Sequence, residues 1–137
     1  MKILITGGAS GLGKKIIEKI HSNNEVHFTY NNSKESSDNI LLRYKNVYSY
    51  RCDFTNSLDI KLFLKDIEKI NFDVLINNYY AGLFLDKHFL KTDTNDFLKA
   101  FENNILPVIK ISKFLLQKFK KQKKGLILSV SSSAMSS

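Results

Sequence analysis

The stretch Thr6–Gly13, TGGASGLG, constrains this chain more than any other. It joins a short apolar run, Lys2 to Ile5, to a stripe of Leu12, Ile16, Ile17 and Ile20 at helical spacing, so the pattern predicts strand, glycine turn, helix. Glycine lacks a Cβ, adopts φ > 0 without strain and lets the backbone approach a ligand. The new helix aims free N–H groups and the positive end of its dipole at the same place. An anion fits at Gly11 to Gly13. The same residues also make an ordinary tight βα turn, so their neighbours must decide.

Two nucleotide-binding patterns overlap in this loop. Gly8, Gly13 and Lys14 satisfy GxxxxGK, but a P-loop needs Ser or Thr next to hold magnesium, and this chain has Lys15 there. Gly7, Gly11 and Gly13 read instead as TGxxxGxG, a dinucleotide fingerprint with a widened first gap. In this form the loop resembles the cofactor loop of the short-chain dehydrogenase/reductase family.

A length of 137 residues with 43% apolar composition suits a single domain with one proper core. The opening MKILIT runs straight into glycines, too short an apolar run for a signal peptide or a membrane helix. A single cysteine, Cys52, forms no internal disulfide and points to a reducing, cytoplasmic compartment. The net charge of +8 suits an anionic partner. Its one concentration, Lys118, Lys120, Lys121, Lys123 and Lys124, ends a helical pattern where cations face the negative end of the dipole. No aromatic and basic RNA-binding signature accompanies it, so no nucleic acid is expected.

Strand-length apolar runs alternate with amphipathic stretches, an α/β pattern. Strands are expected at Lys2 to Thr6, Val26 to Tyr30, Val47 to Arg51, Asp73 to Ile76 and Leu126 to Val130. Helices are expected at Leu12 to Ser22, through Ile40, Leu41 and Leu42, and over Ile60, Phe63, Leu64, Ile67 and Ile70 behind possible N-caps at Thr55, Asn56 and Ser57. The longest helix should run from Thr94 towards Phe119, burying Phe97, Phe101, Val108, Ile111, Leu115 and Phe119, with Pro107 kinking or splitting it and Gly125 closing it. Right-handed crossovers turn this order into a Rossmann-like doubly wound parallel sheet, 3-2-1-4-5. Ligands then lie beyond the carboxyl ends of the strands, where Thr6, Asn31, Asp53, Asn77 and Ser129 to Ser132 fall.

Strand two ends in HFTYNNSK without the acidic residue that binds a ribose 2′-hydroxyl in NAD-preferring domains. That favours NADP over NAD. Asn31, Ser33 and Lys34 are candidates to meet a 2′-phosphate, or else form a solvated polar loop.

Further landmarks follow the family order. The resemblance implies cofactor contacts at Thr6, Gly7, Ser10, Gly11, Leu12 and Gly13, at Asp53 and Phe54, and at Asn77 and Asn78. Asp53 accepts a hydrogen bond from the adenine amino group in this reading, or else caps the turn beside Thr55. Ser10 stands where NADP-dependent relatives often carry a basic residue. The family's NNAG reads NNYYAG here, so Tyr79 and Tyr80 replace the small pair or push it to Ala81 and Gly82. Asn104, in FENNILP, matches the helix asparagine that shapes a proton relay. Ser132 matches the serine that orients the substrate carbonyl and stabilises charge developing on its oxygen.

The resemblance is to the N-terminal part of the family domain, and within the family the chain is similar to the 3-oxoacyl carrier-protein reductases. The family's YxxxK pair should follow Ser132 by roughly a dozen residues, beyond Ser137. The one match, Tyr30 to Lys34, falls at the adenosine end and is read as coincidence. The expectation is therefore an NAD(P)-dependent oxidoreductase acting on a small carbonyl or alcohol, inactive as this truncated chain. A noncatalytic dinucleotide-binding module is the alternative, ahead of a P-loop protein. Homo-oligomerisation is expected through the Phe97 to Phe119 helix.

Overall fold

In the computed structural model, which describes residues 1–81 and 88–131, the chain alternates strand and helix. The strands are β1 (Lys2–Ile5), β2 (Glu25–Tyr30), β3 (Val47–Arg51), β4 (Val74–Asn77) and β5 (Leu126–Ser129). The helices are α1 (Gly11–Ile20), α2 (Lys34–Arg43), α3 (Ser57–Ile67), α4 (Thr94–Asn104) and α5 (Leu106–Gln122), and a single 3-10 turn, Phe89–Lys91, precedes α4. The strands form one parallel sheet in the order β3-β2-β1-β4-β5, the doubly wound arrangement expected from the alternation.

Central strands buried on both faces need near-continuous apolar runs, and Ile3, Leu4 and Ile5 supply one. Alternation divides it between two cores. Leu4 joins Phe54, Ile60, Phe63, Leu75, Ile111 and Leu115 on the face covered by α3 and α5. Ile3 and Ile5 join Ile17, Val26, Phe28, Ile40 and Val74 on the face of α1 and α2.

Local chemistry sets the helix ends. The Asn56 side chain accepts from the N–H groups of Leu58 and Asp59 and so starts α3. Pro107 splits the long helical pattern, because it sits in the first turn of α5, where its missing N–H costs nothing. Lys123, at φ 57°, ends α5 in the left-handed conformation. Gly125 therefore does not close the helix itself. A Cβ there would stand 2.1 Å from the Phe119 ring, so glycine lets the chain pass the ring.

Two of the burials expected along the Thr94 to Phe119 pattern are not found. Phe97 and Phe101 remain 38% and 46% exposed, and α4 buries no residue. Leu12, in the first turn of α1, is 51% exposed and stands apart from the buried part of its helical stripe at Ile17.

Candidate cofactor-binding site

The loop after β1 is held open from both flanking strands. Thr6, 1% exposed, accepts at Oγ1 from the backbone N–H groups of Asn78 and Tyr79, each at 3.1 Å. On the other side the Gly7 N–H donates to Thr29 Oγ1 at 3.0 Å, and the Gly8 N–H to the Thr29 carbonyl. Asn78 Nδ2 donates to the Gly7 carbonyl at 2.9 Å. Three strands thus fix one turn, at the point where the chain order reverses between β1 and β4.

Glycine is required here for two different reasons. Gly7 and Gly11 have φ of +70° and +54°, a region costly to side chains. Gly13 is needed for space, since a Cβ would meet the Gly7 carbonyl oxygen at 2.2 Å. At Gly11 nothing lies within 4 Å of the missing Cβ. Ser10 begins α1 without a side-chain cap bond, so the first N–H groups of α1 face this opening and suit an anion such as a pyrophosphate. Leu12 is exposed in the same first turn.

Lys14 lines a groove of about 460 Å³ with Asn39, Ile40, Leu42, Arg43 and Tyr44. A P-loop lysine would have to reach the phosphates.

Asp53 follows β3 and lies at the same end of the sheet. Its Oδ1 accepts from the N–H and the hydroxyl of Thr55 at 2.9 and 2.7 Å, and these bonds hold its carboxyl below the usual range. Oδ2 takes no hydrogen bond among the described residues, so Asp53 both forms the turn and keeps an acceptor. Phe54 is 4% exposed and faces the core; only its backbone can meet a ligand. It packs edge-on to the Tyr79 ring, centroids 4.5 Å apart. Burial pushes the Tyr79 hydroxyl up to about 12. Tyr79 thus turns into the core and Tyr80 outward, while Gly82 lies outside the described residues.

Asn77 and Asn78 divide their work. Asn77 Nδ2 donates to Ser112 Oγ at 3.2 Å and its carbonyl accepts from Val130, joining β4 to α5 and to the end of β5. Asn78 locks the glycine loop. Asn104 Oδ1 accepts from the Ala81 N–H at 2.8 Å, and its Nδ2 donates to the Ala100 carbonyl. It anchors α4 to the segment leaving β4. Ser132 lies outside the described residues.

The polar loop after β2 carries three of the candidate residues. Lys34 pairs with Asp38 at 2.7 Å, one turn along α2, and Ser33 precedes α2 without a side-chain cap bond. Asn31 accepts from Arg51 Nη2 at 3.0 Å. Sequence reading missed Thr29 and Arg51. Both are strand residues whose partners are set by register, Thr29 across from Tyr50 and Arg51 across from Tyr30.

With this geometry the comparisons agree. The short chain dehydrogenase family model matches residues 1–136, and the chain belongs to that family. It is 29% identical over 134 residues to the 3-oxoacyl-[acyl-carrier-protein] reductase FabG of Buchnera aphidicola subsp. Baizongia pistaciae, covering 94% of this chain and 54% of that protein. The chain spans about half the length of the curated relatives it matches. Among solved structures, the YIR035C short chain dehydrogenase/reductase of Saccharomyces cerevisiae superposes with a TM-score of 0.85 at 22% identity, over 99% of this chain and 55% of that one. A short-chain dehydrogenase from Sphingobium yanoikuyae in complex with NADPH gives 0.81 at 20% identity, over 96% and 53%. These two likenesses carry the fold alone.

Proposed function

We propose that residues 1–137 form a single dinucleotide-binding domain, the N-terminal part of an NAD(P)-dependent oxidoreductase of the short-chain type, working in the cytoplasm on a small carbonyl or alcohol. The observation that carries this reading is the glycine loop, pinned by Thr6, Thr29 and Asn78 and open at Gly11 in front of the uncapped start of α1. Asp53 Oδ2 would accept from the adenine amino group. NADP is preferred over NAD, because no carboxylate ends β2.

When bound, the nicotinamide supplies hydride exchange with a carbonyl or alcohol carbon. The chain's own part is to bind and orient. In this reading Asn104 shapes a proton path from the end of α4, and Ser132 polarises the substrate oxygen. The 137 residues alone hold dinucleotide without turnover, because their one YxxxK pair, Tyr30 and Lys34, sits at the ends of β2 and α2, and Lys34 is engaged by Asp38. The exposed face of α4 and α5 supports self-association. No helix among the described residues is long and apolar enough to cross a membrane.

Thermal unfolding with added ligand tests the reading. A ligand held only by the folded state at about 100 times its Kd adds about 2.7 kcal/mol to the unfolding free energy. NADPH is expected to raise the Tm and Mg-ATP to leave it unchanged; stabilisation by Mg-ATP alone would sink the proposal. NADPH oxidation across a carbonyl panel then separates a binding module from an enzyme.

A further inference from the structure

Two cations flank the exit of β2. Lys34 Nζ pairs with Asp38 Oδ2 at 2.7 Å, within α2. Arg51 ends β3 in register with Tyr30, which ends β2, and its guanidinium reaches over to the next residue of that strand's exit. Nη2 donates to Asn31 Oδ1 at 3.0 Å, and Nη1 donates to Asp59 Oδ2 at 2.7 Å. That same Asp59 oxygen accepts from the Asp53 N–H at 3.0 Å. Arg51 is therefore held between two segments: the exit of β2, where a carboxylate would select NAD, and the turn carrying Asp53.

The contacts orient the group without using it up. The Arg51 side chain is 53% exposed, and a guanidinium carries more N–H donors than these two bonds consume. Asp59 stands on α3, within its first turn, where the helix dipole and the Asp53 N–H share its charge. A planar, permanently charged fork suits a phosphate better than a flexible ammonium does, and a 2′-phosphate brings about two negative charges at neutral pH. Asn31, with its oxygen turned to Arg51, keeps its amide N–H group for the same ligand.

Resting on the dinucleotide-binding reading above, we propose that Arg51, positioned by Asn31 and Asp59, is the residue that recognises the adenosine 2′-phosphate and so sets NADP over NAD preference. Lys34 takes no part in it.

Calorimetric titration of the intact chain with NADPH, NADH and adenosine 2′,5′-bisphosphate tests this. In R51A the affinities for NADPH and the bisphosphate are expected to fall about tenfold or more, the worth of a charge-assisted hydrogen bond, while NADH changes by less than about twofold. R51Q keeps an amide donor for Asn31 and Asp59, so it separates lost charge from disturbed packing, and it should show the same selective loss. K34A should leave all three affinities alone. Equal weakening of both dinucleotides in R51A and R51Q, no change in either, or a selective loss in K34A overturns the assignment. Wild-type chain that binds neither dinucleotide overturns the broader reading with it, whereas wild-type binding that R51A leaves intact overturns the Arg51 assignment alone.

Discussion

One hydroxyl oxygen, Thr6 Oγ1, joins the glycine loop to the exit of β4 by accepting from two backbone N–H groups. Valine has nearly the same shape and no acceptor, so T6V strands both donors in a part-buried setting. Each stranded donor costs about 1–3 kcal/mol, and the expected loss of unfolding free energy is about 2–4 kcal/mol, read from urea denaturation. T6S restores the acceptor and should lose less than about 1 kcal/mol; equal losses in T6V and T6S would show that the hydroxyl does not hold the loop. Gly7, Gly11 and Gly13 were legible in the sequence because their requirement is local: a backbone angle or a missing Cβ. Thr29 and Arg51 were not, because each acts across strands, and the pairing register that decides its partner leaves no mark on its own segment. Lys34 is the opposite case. Asp38, four residues on, claims it within the helix, a local pairing that the sequence displays as plainly as the lysine itself.

Elements were legible through periodicity, and their burial less so. The helical pattern from Thr94 to Phe119 is real, but Pro107 divides it into α4 and α5, and only α5 packs on the sheet, through Ile111, Leu115 and Phe119. Periodicity gives an apolar face without saying what covers it. Phe97, Leu98, Phe101, Ile105 and Ile109 are each between 38% and 54% exposed, apolar residues at helical spacing that a second copy of the chain would cover. Self-association through this face is expected, so the chain should sediment above its monomer mass of 15.8 kDa. The double substitution F97E and F101E, at residues that support no core, should return it to that mass without lowering the Tm. A wild-type chain that stays monomeric in concentrated solution rules the interface out.

At the scale of the whole molecule the sheet order followed from alternation and handedness alone, while the pH range over which the fold holds depends on groups whose burial the sequence does not display. His27 is 5% exposed in β2. Its Nδ1 meets the Tyr50 hydroxyl at 2.8 Å, the Tyr48 and Tyr50 rings stack on it, and Phe72 meets it edge-on. Nε2 stands 3.3 Å from Glu25 Oε2 outside hydrogen-bonding geometry, with Lys2 paired to the same carboxylate. Burial outweighs Glu25 and lowers the His27 pKa below its ordinary 6.5. The unfolded chain then binds a proton more readily than the folded one, so stability is full above about 6.5 and falls as the pH drops towards the folded value. At the other end, burial pushes the Cys52 thiol from 9.0 up to about 12. A raised acid is neutral in the fold and ionises first in the unfolded chain, so its contribution is whole below about 9 and lost as the pH climbs towards 12. Together they bound a plateau of Tm between about pH 6.5 and 9. H27F should flatten the acid shoulder, and C52A should delay the alkaline one from about pH 9 to about 10, where the Tyr79 hydroxyl, raised from 10.0 to about 12, begins its own loss; each substitution leaves the other end in place, as scanning calorimetry across pH 5 to 11 would record. An acid shoulder unchanged in H27F would mean that the carboxylates, Glu25 among them, and not the buried imidazole, set the lower limit.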